Sequence, residues 1–123
     1  MSRIALVRRP SPRLAEGLVS HIDRVPVDVG LALRQWDEHV AALRDAGWDI
    51  VEVEPAPECP DSVFIEDTIV VYRDTAVIAR PGADERRAEI PAAAAAVAAL
   101  GYRVVPIDAP GTLDGGDVLK VGD

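Results

Sequence analysis

Ile4–Val7 is a short apolar run closed by Arg8-Arg9-Pro10-Ser11-Pro12. Prolines at that density cannot continue a ladder of backbone hydrogen bonds, so the run predicts a buried strand that stops at Val7. Residues 10–29 mix proline, glycine, serine and charge around Leu14, Leu18, Val19 and Ile22. That composition predicts a loop, long enough for a binding or covering role to compete with plain connection. Over residues 31–46 the apolar positions Leu33, Trp36, Val40 and Leu43 recur at helical spacing, with Gly47 where a C-terminal cap belongs. Polar and apolar positions alternate over 49–54, the pattern of a half-buried strand, and Pro55, Pro57 and Pro60 enforce the next loop. Trp48 is expected to pack at that helix–strand junction.

The second half is patterned differently. Residues 68–72 and 75–79 are β-branched runs joined by Arg73-Asp74, the spacing of a hairpin with a two-residue turn, and Arg80-Pro81-Gly82 closes it. An alanine-rich helix follows to about Leu100, with Pro91 either in its first turn or at a break after a preceding turn, and Gly101 as its stop. Residues 103–107 predict a strand, 109–112 a turn, and 118–121 the opening of one more strand. Strand, strand, helix, strand from 68 to 107 is one complete supersecondary unit. The run at 118–121 either pairs with something already present or begins a unit in the front portion of a longer protein.

Composition narrows the function classes. At 123 residues and 49% hydrophobic positions the chain can build one compact core and is too short for two ordinary domains, so it reads as one domain or a piece of one. A formal charge of −8 is the wrong sign for tracking phosphates, which argues against nucleic acid as a partner. No apolar run approaches a membrane span, and the start of the chain lacks a signal-peptide core, so a cytoplasmic location is expected. Cys59 is the single cysteine, and His21 and His39 are the histidines, which leaves little material for a disulfide or a metal site.

Two segments could carry chemistry. Cys59-Pro60-Asp61-Ser62-Val63-Phe64-Ile65-Glu66-Asp67 sets carboxylates around an apolar Val-Phe-Ile run. Acids at the edge of a core are unfavourable unless paired, so internal pairing with Arg80, Arg86 or Arg87, or a capping role for Asp61, competes with a cation-binding cluster. If the acids converge in a cleft they select a planar guanidinium, which prefers bidentate carboxylates. Glu66 and Asp67 are neighbours, and can share a ligand only where a strand is bent or ending, because consecutive strand residues point to opposite faces. In Leu113-Asp114-Gly115-Gly116-Asp117 the glycine pair permits close backbone approach and lets a flanking acid be aimed into a site. Cys59 is a poor nucleophile candidate, since Glu58, Asp61 and Glu66 nearby in sequence would disfavour its thiolate.

The segments Pro60-Asp61-Ser62-Val63-Phe64-Ile65-Glu66-Asp67, Ala79-Arg80-Pro81-Gly82-Ala83 with Arg86-Arg87, and Ala109-Pro110-Gly111-Thr112-Leu113-Asp114-Gly115-Gly116-Asp117 strongly resemble the dimethylarginine dimethylaminohydrolase family, in order and at its spacing. Leu6-Val7-Arg8-Arg9-Pro10 and the Gly17-Leu18 loop extend the resemblance over essentially the whole chain, against about the first half of a family member. It implies an α/β fold: part, about two ββαβ modules, of a fivefold pseudosymmetric α/β propeller, with modules near 1–67 and 68–123. It also implies hydrolysis of Nω-methylated arginine to citrulline and methylamine through a covalent cysteine intermediate, with no metal or organic cofactor. In that likeness Asp61, Glu66 and Asp67 hold the substrate guanidinium and nearby amines, and Arg86 pairs with the substrate carboxylate. Leu18 contributes backbone contact from a mobile loop, and Asp114 orients the catalytic histidine. That histidine and the nucleophilic cysteine lie further along in the family, and Cys59 is not the matching cysteine, so the chain by itself is expected to be inactive. Faces cut from a closed propeller are expected to self-associate. The alternatives are a non-catalytic guanidino-ligand-binding or assembly module, and a sister activity: an arginine or agmatine deiminase, or an amidinotransferase.

Overall fold

The computed structural model describes residues 2–19 and 22–122, so His21 lies outside the described residues. The chain forms two compact units, Met1–Val63 and Phe64–Asp123.

In the first unit, strand β1 (Ile4–Val7), helix α1 (Val29–Asp45) and strand β2 (Asp49–Glu52) make a βαβ element. The strands pair in parallel, from Ile4 opposite Asp49 to Val7 opposite Glu52. The ladder gains one more bond where the Val53 amide donates to the Val7 carbonyl at 2.8 Å, and beyond it the prolines end the strand short of residue 54. Helix α1 begins two residues before the apolar periodicity does, because the Asp28 carboxylate accepts the Leu31 amide at 2.9 Å as an N-cap. Its other end is a Schellman motif: Trp48 donates to the Leu43 carbonyl and Gly47 to that of Arg44, with Gly47 at φ +89°. Val7, Trp36 and Val40 form the core, with Leu43, Ile50 and Val63 packed against it. Trp48 is half-exposed at the junction, under the Arg3 guanidinium.

The second unit contains strands β3 (Ile69–Tyr72) and β4 (Thr75–Ile78), helix α2 (Ile90–Ala99) and strand β5 (Arg103–Pro106). Its sheet order is β3-β4-β5, antiparallel then parallel, which is the ββαβ unit that the pattern predicts. Arg73, at φ +55°, makes the tight hairpin turn. Both positions considered for Pro91 meet in one arrangement: a 3-10 turn over Asp84–Glu89 leads straight into α2, and Pro91 sits in the first turn of α2, where its missing N–H is not needed. Ala76, Ala93 and Val97 are fully buried, so small side chains let α2 settle closely on the sheet. The helix ends on Gly101 at φ +90° with the same two cap bonds as α1.

One expectation fails. Residues 118–121 form no strand; Leu119 and Val121 are 84% and 83% exposed, and the Lys120 Nζ donates to the Val71 carbonyl of β3. A strand exists only as a ladder, and none of the described residues pairs with this run. Among the described residues no helix is long and apolar enough to cross a membrane.

Candidate functional site

The candidate residues fall into two groups, one in each unit. In the first unit, Asp61 lies in a turn closed by bonds from Cys59 to Ala56 and from Ser62 to Cys59. Its Oδ2 accepts the Leu18 amide at 3.0 Å. A Cβ on Gly17 would run into Asp61 Oδ1, so the glycine is what lets the backbone lie against the carboxylate. Leu18 and Asp61, 43 positions apart in sequence, are therefore joined through a main-chain donor. Cys59, the first residue of that turn, is buried.

In the second unit, Glu66 and Asp67 sit on a 3-10 turn over Ile65–Asp67 that ends just before β3. Both lie off the ladder, which removes the obstacle to their sharing a ligand. The Thr68 hydroxyl, fully buried, closes the turn by donating to the Ile65 carbonyl at 2.6 Å. Glu66 is exposed, whereas Asp67 is half-buried and engaged on both oxygens. Asp67 Oδ2 takes Arg86 Nη1 at 2.7 Å, and Oδ1 takes the Gly116 amide at 2.9 Å.

That second bond ties the two motif segments together. Gly115–Asp117 is itself a 3-10 turn, and it lies against the turn that carries the acids. A Cβ at Gly115 would collide with the Glu66 carbonyl, and one at Gly116 with Asp67 Oδ1. The glycine pair is thus a requirement of close approach between two turns. Asp114, half-buried, heads this turn, and an antiparallel bridge between Arg80 and Leu113 fixes the chain just before it.

Arg86 is held more firmly than its sequence position suggests. Its Nε and Nη2 donate to the two oxygens of Glu89 at 3.0 and 2.9 Å, a bidentate pair, while Nη1 reaches Asp67. The Arg86 side chain is 13% exposed and that of Glu89 1%. Burial works to lower the Arg86 pKa; the hydrogen bonds from Glu89 and Asp67, with their charges, outweigh it and hold the guanidinium above its ordinary range. Asp67 is thus internally paired with Arg86, one of the pairings that the sequence allows. Glu89 was not evident as a site residue; the available signal was a lone carboxylate three positions after Arg86 at the foot of an apolar helix. Glu66, Asp114 and Asp117 lie on or at the head of these two turns, with Arg80 bridged to Leu113 beside them. Among the described residues no group of three or more His, Cys, Asp or Glu is placed to hold a metal ion.

No family model matches the chain. It is 62% identical over 99% of its length to the N(G),N(G)-dimethylarginine dimethylaminohydrolase of Streptomyces coelicolor, covering 47% of that protein. It is 36% identical, over its full length, to the Pseudomonas aeruginosa protein of the same name, covering 48% of it. The solved structure of the P. aeruginosa enzyme in complex with citrulline superposes with a TM-score of 0.91 at 35% identity, over 99% of this chain and 48% of that one. The chain thus spans about half the length of the curated relatives it matches, is homologous to them along its whole length, and shares their α/β fold.

Proposed function

We propose that this chain, homologous throughout to dimethylarginine dimethylaminohydrolases, is the N-terminal half of such a hydrolase, part of a fivefold α/β propeller that converts Nω-methylated arginine to citrulline and methylamine. The observation that carries the reading is the back-to-back seating of the Ile65–Asp67 and Gly115–Asp117 turns. It brings the acids suited to a guanidinium into one rigid element with Asp114, the acid suited to orienting a histidine.

The roles follow from charge and shape. Glu66 and Asp67 hold the substrate guanidinium through charge-assisted hydrogen bonds. Asp61 and the Leu18 backbone take the substrate α-amine, and Arg86 its carboxylate. Asp114 orients and charges a histidine supplied by the second half, together with the cysteine nucleophile. The thiolate adds to the guanidino carbon, and the methylated nitrogen leaves as the amine with a proton from the histidine. Water, deprotonated by the same histidine, then adds to the carbon and expels the thiolate, giving citrulline. No step calls on a cofactor.

Asp67→Asn in the complete polypeptide keeps an acceptor for the Gly116 amide and removes one charge of the clamp. The KM for dimethylarginine is expected to rise about tenfold to a hundredfold, read from citrulline release with far-UV circular dichroism unchanged. A cytoplasmic location belongs to the same proposal, as does self-association of the isolated chain. Leu119, Val121 and Tyr72 leave apolar surface open in the second unit. Sedimentation of the isolated chain is expected to show dimers or larger species; a strict monomer at high concentration would favour a self-contained domain.

A further inference from the structure

We propose that Arg24 is a positioning residue that locks the Gly17–Leu18 peptide group in place beside Asp61, an inference that rests on the reading of Leu18 and Asp61 as ligands of the substrate amine. The Arg24 guanidinium donates through Nη1 to the Ala15 carbonyl at 2.7 Å and through Nη2 to the Gly17 carbonyl at 2.8 Å. The Gly17 carbonyl and the Leu18 amide belong to one planar peptide group. Its oxygen is held by Arg24, and its N–H is held by Asp61 Oδ2 at 3.0 Å. A cation, a peptide dipole and an anion are thus aligned in series, an order in which each hydrogen bond polarises the next.

The 3-10 turn Leu14–Glu16 cannot do this alone. It closes with the Gly17 amide on the Leu14 carbonyl, after which Gly17, at φ −57° and ψ 158°, leaves helical geometry and its own carbonyl needs another donor. Glu16, in the same turn as the Ala15 carbonyl, is paired bidentately with Arg13 at 3.0 and 3.2 Å, and Asp28 caps α1 through the Leu31 amide. The planar fork of an arginine can take two carbonyls at once, whereas a lysine delivers a single point charge. Rotation of the Gly17–Leu18 peptide would break the bonds at both its ends and leave Asp61 without the amide that aims it.

The test uses the complete polypeptide carrying this chain, with Arg24→Met and Arg24→Lys, followed by hydrogen exchange over residues 14–19 and by citrulline release from dimethylarginine. Arg24→Met is expected to speed exchange in that segment and to raise KM, each about tenfold, with kcat within about twofold, because the latch acts on binding and not on the reacting atoms. Arg24→Lys is expected to recover only part of both effects. Unchanged exchange and KM in Arg24→Met would overturn the proposal, and so would full recovery in Arg24→Lys, which would reduce the role to charge alone. If the wild-type polypeptide releases no citrulline, the hydrolase reading fails, and the exchange data still decide the latch: faster exchange supports it and unchanged exchange overturns it.

Discussion

Arg86→Met is expected to destabilise the protein by about 3–5 kcal/mol, because it leaves the Glu89 carboxylate buried without its bidentate partner. Against a total stability of about 5–15 kcal/mol for a small domain, that loss is enough to populate unfolded chains at ambient temperature. The double variant Arg86→Met with Glu89→Met is expected to recover most of it, since it removes the buried Glu89 charge with its partner and leaves only Asp67, partly exposed and still holding the Gly116 amide, without its ion pair. Equilibrium urea unfolding of the two variants beside the wild type measures this directly. A single-variant loss below about 1 kcal/mol would mean that water screens the pair, as it does for surface ion pairs. Because Arg86 is held above its ordinary pKa, its contribution is complete below the unfolded-state value and is lost only as pH rises through the still higher folded one. Across neutral pH it is constant.

The catalytic counterpart is Asp114→Asn. In the complete polypeptide, the orienting role proposed for Asp114 predicts a kcat lower by about a hundredfold or more with KM within about twofold, since an acid in that role acts on a histidine and not on the ligand. Asp114 heads a turn that is fixed by backbone bonds, including Asp117 to Asp114 at 3.0 Å, so an isosteric amide leaves the turn intact. A rise in KM with kcat unchanged would move Asp114 from orienting the histidine to binding substrate.

Much of the fold was legible wherever periodicity and local punctuation agree. The Leu33, Trp36, Val40, Leu43 spacing with Gly47 behind it, and the Arg73-Asp74 turn between β-branched runs, each point to one structure by themselves. The start of α1 was less legible because Asp28 acts through a cap and not through the apolar pattern. Residues 118–121 misled because a β-branched run states a preference, while a strand also needs a partner that no local signal supplies. At the site, the two motif segments and their acids were visible as sequence. The bond from the Gly116 amide to Asp67, across 49 positions, was not, and neither was Glu89 as the hidden partner of Arg86. Both are long-range or buried choices that only packing decides. Arg24 was equally silent, since it acts on backbone carbonyls that every residue carries.

In the proposed function the chain supplies the substrate-binding and histidine-orienting half of a two-part active site. The most direct test of that proposal is citrulline release from dimethylarginine by the chain alone and by the chain mixed with the separately produced remainder of the polypeptide. No citrulline is expected from the chain alone, and measurable turnover is expected from the reassembled pair, abolished when the remainder lacks its cysteine. Robust release by the verified 123-residue chain alone, surviving Cys59→Ala, would contradict the proposal.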